Sequence, residues 1–207
     1  MQNKLMRKLT RKPMFAALAL SLAANVAWAA SAGQAAPDFT VSDAAGNPVR
    51  LSDYKGKFVV LEWTNPDCPF VQKHYNSANM QTLQKEAGAR DVVWLSVNST
   101  NKSSSEYKTG AQMSSWMRSQ GAAQKAVLID GDSATGTKYA AKTTPHMFVI
   151  DPKGDIVYAG AIDDKRSARV EDAKTANNYV RVALNEAMAG KPVTTPNTAP
   201  YGCTVKY

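Results

Sequence analysis

Apolar positions in this chain fall into a few short runs separated by polar, glycine-bearing stretches. Phe58 to Trp63 and Val92 to Val97 are near-continuous, the pattern of strands buried on both faces. Ala126 to Ile129 is a shorter strand of the same kind. Asp38 to Val41 and Pro48 to Leu51 alternate around Ala45-Gly46-Asn47, which predicts a hairpin. His146 to Ile150 and Asp155 to Tyr158 flank the turn Asp151-Pro152-Lys153-Gly154 and predict a second. Helical spacing takes over between the strands. Pro69 to Ala87 predicts a helix stopping at Gly88. Met113, Trp116 and Met117 place another over Ser105 to Gln120, ending at Gly121. A small helix is expected around Ala134 to Ala141, and an amphipathic one over Asp172 to Ala189, closed by Gly190. The tail, Lys191 to Tyr207, carries Pro192, Pro196 and Pro200 and is expected to be extended. Strands alternating with helices and closing on a hairpin imply an α/β fold. Its sheet is central and mixed, flanked by helices, with an N-terminal hairpin and an extended C-terminal tail.

The first residues follow a different rule. Lys4, Arg7, Lys8, Arg11 and Lys12 form a basic head without acids, followed by an apolar stretch from Met14 to Trp28. Ala27-Trp28-Ala29 then offers small residues at both positions a signal peptidase reads. This is a secretory signal pattern over 1–29, cut after Ala29 or, as a second option, after Ala32. The apolar run is short for a membrane span, so no stable span is expected after processing. Removal of 1–29 takes the formal charge from +8 to +3, and no basic patch interleaved with aromatics remains to bind nucleic acid. What is left is one domain, 30–190, and the tail, 191–207. The expected destination is outside the cytoplasm, in a bacterium the periplasm. There a disulfide between the two cysteines, Cys68 and Cys203, is permitted.

Cys68 is the first candidate for chemistry. It lies in Trp63-Thr64-Asn65-Pro66-Asp67-Cys68-Pro69-Phe70-Val71, where a buried strand ends and a helix begins. Unpaired backbone N–H groups and a partial positive charge gather at a helix N-terminus, which favours thiolate there. Asp67 beside it could cap the helix, although its charge opposes that ionisation.

Two further segments give a resemblance. Ala36-Pro37-Asp38-Phe39 with Leu51-Ser52-Asp53-Tyr54-Lys55-Gly56-Lys57, and Thr143-Thr144-Pro145-His146-Met147-Phe148-Val149-Ile150-Asp151 followed by Gly154, resemble the thioredoxin superfamily. The branch is that of redoxins, the alkyl hydroperoxide reductase/thiol-specific antioxidant and peroxiredoxin-like proteins, and the likeness covers about 33–190. It implies a cis bond at Thr144–Pro145 held against the reactive sulfur, with Thr144, Pro145 and Pro69 shaping a substrate groove. Cys68 falls on the first, nucleophilic and more exposed cysteine of a CxxC pair, whose second is replaced by Val71. Glu62 falls on the buried acid that carries protons in thioredoxin. A carboxyl on a central strand is costly unless neutral or paired, which makes Glu62 a candidate acid/base for Cys68; the alternative is a solvated edge residue.

The likeness implies a thiol-dependent oxidoreductase without a cofactor. Its partners would be a protein thiol or disulfide, or a peroxide, with an external thiol reductant. Cys203 is then a resolving cysteine, or else a permanent staple whose long loop is worth roughly 4–5 kcal/mol in the chain-entropy model. The peroxidatic pattern PxxxTxxC is not met, since Asn65 stands for its Thr and Leu61 for its Pro. No arginine is clearly placed to polarise a peroxide, although Arg166 and Arg169 are weak candidates to steady a thiolate. A peroxide-reducing antioxidant acting through Cys68 is therefore the alternative reading. A third is a non-catalytic binding or copper- or zinc-handling module with a structural Cys68–Cys203 disulfide, for which His74 and His146 are weak ligand candidates. The helical phase of His74 turns it off the Cys68 face, so it is expected on the surface or in packing. The Asp163-Asp164-Lys165-Arg166 stretch is expected to be a solvated loop bordering the site. Trp63, Trp94 and Trp116 are expected in the core.

Overall fold

The computed structural model describes residues 30–207, so the expected signal segment 1–29 lies outside the described residues. The first hairpin pairs β1 (Thr40–Ser42) with β2 (Pro48–Arg50). A 3-10 turn over Leu51–Tyr54 leads to β3 (Val59–Trp63). Every β3 residue is buried; β4 (Val93–Asn98) pairs parallel on one edge and β7 (His146–Ile150) antiparallel on the other. β5 (Ala126–Ile129) and β8 (Ile156–Gly160) complete a mixed sheet of order β5-β4-β3-β7-β8. The continuous apolar runs are thus the inner strands, where neither face meets water.

The helices depart from expectation in their limits. The single helix expected over 69–87 is two, α1 (Pro69–Asn76) and α2 (Asn79–Gly88). Ala78 between them takes a left-handed φ of 59°. Ser77 fixes that break: its hydroxyl donates to the His74 carbonyl and accepts from the Asn79 N–H. α3 (Gly110–Ser119) starts later than Ser105 because Thr109 forms a capping box with Gln112. α4 (Ala134–Tyr139) is as expected. The helix expected from Asp172 begins at α5 (Tyr179–Met188), where the Asn178 side chain accepts from the Arg181 N–H. A 3-10 turn, Val170–Lys174, precedes it.

Two apolar layers enclose the sheet. On one face Val60, Trp94, Met147 and Val149 pack with Val71 and Tyr75 of α1, Met80 and Leu83 of α2, Met113 and Met117 of α3, and Val180 and Leu184 of α5. The other face buries Leu61, Trp63, Leu95 and Phe148 under Tyr139 and the first hairpin. Trp63 and Trp94 are core residues as expected, and Trp116 is partly buried, edge-on to Tyr75. Each fully buried large apolar side chain contributes about 1.5–3 kcal/mol. The tail is extended, and within it β9 (Cys203–Thr204) pairs with β6 (Thr143–Thr144). Among the described residues, no helix is long and apolar enough to cross a membrane.

Candidate active site

Cys68 is the N-cap of α1, with extended backbone and Pro69 at the first helical position, where a missing N–H costs nothing. A tight turn delivers it there: the Cys68 N–H donates to the Asn65 carbonyl, and the Asn65 side chain accepts from the Asp67 N–H. Cys68 Sγ donates to the backbone oxygen of Thr144 at 3.0 Å. The Thr144–Pro145 bond is cis, as expected. The resemblance had implied an exposed thiol, and here the structure differs. Cys68 is 2% exposed, while Cys203 is only partly buried.

The tail lies beside the Cys68 sulfur. In the β6–β9 pair Thr144 lies opposite Cys203, and Thr143 opposite Thr204. Both cysteines are free thiols. Burial pushes the Cys203 thiol up to about 12, and the adjacent Cys68 sulfur adds to the shift. Gly202 precedes Cys203 at φ +132°, and a Cβ there would lie 2.0 Å from the Thr144 oxygen. Only glycine lets the tail approach so closely.

Two residues before Cys203, Tyr201 is buried in a polar cluster that the sequence did not reveal. Its hydroxyl donates a short hydrogen bond to Asp163 Oδ1. Lys73 Nζ donates to that hydroxyl at 3.4 Å and to the Lys165 carbonyl at 2.6 Å. His74 Nε2 lies 3.2 Å from the same hydroxyl, and His74 Nδ1 lies 2.9 Å from Asn79 Nδ2. The asparagine amide can only donate, so His74 is the Nε2–H tautomer and donates to Tyr201. Asp163 Oδ2 faces Lys73 Nζ at 3.6 Å. Burial raises Asp163, against the Tyr201 hydrogen bond and the Lys73 charge, and lowers Lys73, against Asp163. His74 is therefore wholly buried rather than on the surface, and burial holds it neutral, down to about 3. Asp163 likewise is no part of a solvated loop.

Glu62 is wholly buried on β3, on the sheet face that carries α1, and the solvated-edge alternative is excluded. Its carboxylate accepts from Tyr75 Oη at 3.0 Å, Trp94 Nε1 at 2.8 Å, Ser96 Oγ at 2.9 Å and Gln84 Nε2 at 3.3 Å. Burial raises its pKa, and these four donors pull it back. Cys68 is not among its hydrogen-bond partners; its thiol goes to Thr144.

The remaining candidates fall outside this group. His146 is buried, accepts from the Lys142 N–H at 3.2 Å and lies tilted on Phe148, its ring 4.6 Å from the phenylalanine's. Burial brings it down to about 3. Among the described residues no three His, Cys, Asp or Glu side chains converge as for a metal. Asp67 does not cap α1; Lys108 Nζ meets it at 2.6 Å and offsets its charge beside Cys68. Lys108 is a site neighbour that nothing in the sequence pattern singles out. Arg169 pairs with Asp172, and the Arg166 guanidinium lies 6.0 Å from the Tyr201 ring centre.

A thiol at a helix N-cap, a cis proline against it and this sheet order agree with the comparisons with known proteins, which decide the family. Residues 32–159 match the AhpC/TSA family. The chain belongs to it. The AhpC/TSA match spans Glu62, Cys68, Thr144 and Pro145 but ends before Asp163 and the tail. Among curated proteins the chain is 26% identical over 127 residues to thiol-disulfide oxidoreductase ResA of Bacillus subtilis, a stretch covering 61% of this chain and 65% of that protein. Structures of similar fold include a conserved protein from Geobacillus kaustophilus (TM-score 0.73, 24% identity, 85% of this chain and 92% of that one). Another comes from Sinorhizobium meliloti 1021 (TM-score 0.74, 22% identity, 87% and 96%). A thiol:disulfide interchange protein DsbE from Chlorobium tepidum, itself assigned provisionally, aligns at TM-score 0.51 and 25% identity over 63% and 85%. A thioredoxin-like fold for this AhpC/TSA member is therefore shown.

Proposed function

We propose that the protein is an exported thiol-disulfide oxidoreductase in which Cys68 is the nucleophile and Cys203 its internal partner. One observation carries this reading: strand pairing seats Cys203 opposite Thr144, the residue whose carbonyl holds the Cys68 thiol. In the dithiol form the Cys68 thiolate attacks one sulfur of a substrate disulfide. A mixed disulfide forms and the first substrate thiolate leaves. Cys203, losing its proton, then attacks the Cys68 sulfur and releases the second thiolate. The protein gains one S–S bond, the substrate loses one, and two protons pass to the two leaving thiolates. An external thiol reductant reverses the balance and resets the dithiol. Glu62, raised by burial, is the candidate carrier of the Cys68 proton. Export rests on the segment 1–29 and is tested by recovering the processed chain, beginning at Ala30, from the cell envelope.

The Cys203 thiol, protonated at neutral pH, must be deprotonated at the moment of attack, which suits a resolving role better than a first nucleophile. The peroxide-reducing alternative has less support, because no arginine donates to Cys68 in the described residues. The deciding experiment equilibrates processed protein across a thiol redox buffer series and counts free cysteines by alkylation and mass spectrometry. A Cys68–Cys203 bond that titrates above about −250 mV supports exchange, whereas one intact below about −300 mV is a staple. Peroxide consumption far faster than by free cysteine would favour the peroxidase instead.

A further inference from the structure

We propose that the tail strand around Cys203 is a tethered stand-in for a partner polypeptide, and that its seat fits an extended segment with a glycine directly before its cysteine. This rests on the reading of Cys68 as nucleophile. The backbone edge beside Cys68 is β6, and strand addition at such an edge is a general way of binding an extended chain. In this molecule β9 already fills it, with Cys203 placed where a partner's cysteine would have to lie. With the tail docked, Cys68 is 2% exposed, so a protein disulfide cannot reach it.

The seat selects its occupant. Beside the Thr144 carbonyl, the residue before the cysteine is Gly202, and any Cβ there would strike the oxygen. The residue before that, Tyr201, goes edge-on against Phe70 of α1, with its hydroxyl among Asp163, Lys73 and His74. On the other side Val205 is buried and its N–H donates to the Lys142 carbonyl. The matching partner segment is thus aromatic, glycine, then cysteine. A tethered strand competes at an effective concentration on the order of millimolar, so a partner gains the seat only as the Tyr201 anchor lets go.

The test uses full-length protein with Cys203→Ser, alone and combined with Tyr201→Ala. The probe is a peptide of the sequence 199–207 whose cysteine is activated as a mixed disulfide with thionitrobenzoate; a second peptide has valine in place of its glycine. Cys68 thiolate attacks the peptide sulfur, a Cys68–peptide disulfide forms, and coloured thionitrobenzoate leaves with the electron pair. Release from the glycine peptide is expected to rise about tenfold or more when Tyr201→Ala is added, as several buried hydrogen bonds are lost. Against the valine peptide the same protein is expected to react about tenfold more slowly. Equal rates for the two peptides, or no gain from Tyr201→Ala, would overturn the proposal. If Tyr201→Ala does not fold, Tyr201→Phe keeps the ring and drops the hydroxyl, and a smaller rise is required of it. Should folded Cys203→Ser protein release nothing even from a small aromatic disulfide, the fault lies with Cys68 as nucleophile rather than with the seat.

Discussion

Cys203 lies directly across from Thr144 in an antiparallel pair, and the carbonyl of that same Thr144 accepts the Cys68 thiol at 3.0 Å. One residue therefore holds both sulfurs, one through its strand register and the other through its oxygen. Geometry of this kind separates a first attack from a resolving attack. Cys203→Ser is expected to stop steady turnover of a disulfide substrate while still allowing one adduct on Cys68. Cys68→Ser is expected to allow no turnover. Intact-mass spectrometry after a single addition of substrate distinguishes the two.

Glu62 receives four donors and offers none. An amide in its place turns one N–H pair toward those donors, so Glu62→Gln is expected to cost about 1–3 kcal/mol in denaturant unfolding. A carboxyl raised by burial also titrates above its usual 4.5. If it carries the Cys68 proton, the pH–rate profile of exchange loses an inflection above that value in Glu62→Gln. An unchanged profile with reduced stability would leave Glu62 a structural residue.

Lys73 and Asp163 both have fully buried side chains. Lys73→Met strands the Asp163 carboxylate, and the expected loss is about 3–5 kcal/mol. Lys73→Met combined with Asp163→Asn removes both charges and is expected to lose less than Lys73→Met alone. Chemical denaturation of these two variants and of Asp163→Asn alone completes the cycle.

Acid should weaken the fold through its histidines. His74 and His146 are lowered from 6.5 to about 3 by burial. The unfolded chain takes up their protons first, so stability is full above 6.5 and falls as pH drops toward 3, by about 2 kcal/mol per histidine at pH 5. Glu62 acts with the opposite sign, since its raised folded pKa favours the native state as pH falls. Comparing wild type with His146→Gln between pH 7 and pH 5 isolates one histidine. The variant's denaturation midpoint is expected to change less with pH.

Gly202→Ala sets a methyl group 2.0 Å from the Thr144 oxygen at a φ of +132° that alanine resists. The tail is expected to lift, and iodoacetamide should label Cys68 faster than in wild type. Peptide mass spectrometry of the timed reaction reads this directly. Unchanged labelling would mean that the tail does not control access to Cys68.

The strands were legible because their signal is local. Near-continuous apolar runs, broken only by Glu62 and Ser96, mark strands that lie inside a sheet covered on both faces, as β3 and β4 do. The position of Cys68 and the cis bond at Thr144–Pro145 were legible from motif and resemblance. Helix limits were less so: the break at Ala78 depends on Ser77 and Asn79 bonding to His74, a three-dimensional fit in a stretch whose periodicity continues unbroken. The polar cluster was invisible for a related reason. Lys73, His74, Asp163 and Tyr201 come from three distant segments, and each alone looks like an ordinary surface residue. Only the apolar seat of α1 against the sheet turns two of its polar residues inward to meet the tail.

The spacing of the two cysteines, 135 positions apart in sequence yet neighbours in space, ties the fold to its redox state. Whatever stability a Cys68–Cys203 bond adds to the native chain, the native chain returns to the bond, because the thermodynamic cycle must close. Folding presents the two thiols to each other and so makes the pair harder to reduce; urea, heat or acid, by loosening the tail, makes it easier. Reduction in turn lowers the midpoint at which the chain melts. A melting curve of this protein is therefore also a redox titration, and neither has a single value until the other is specified.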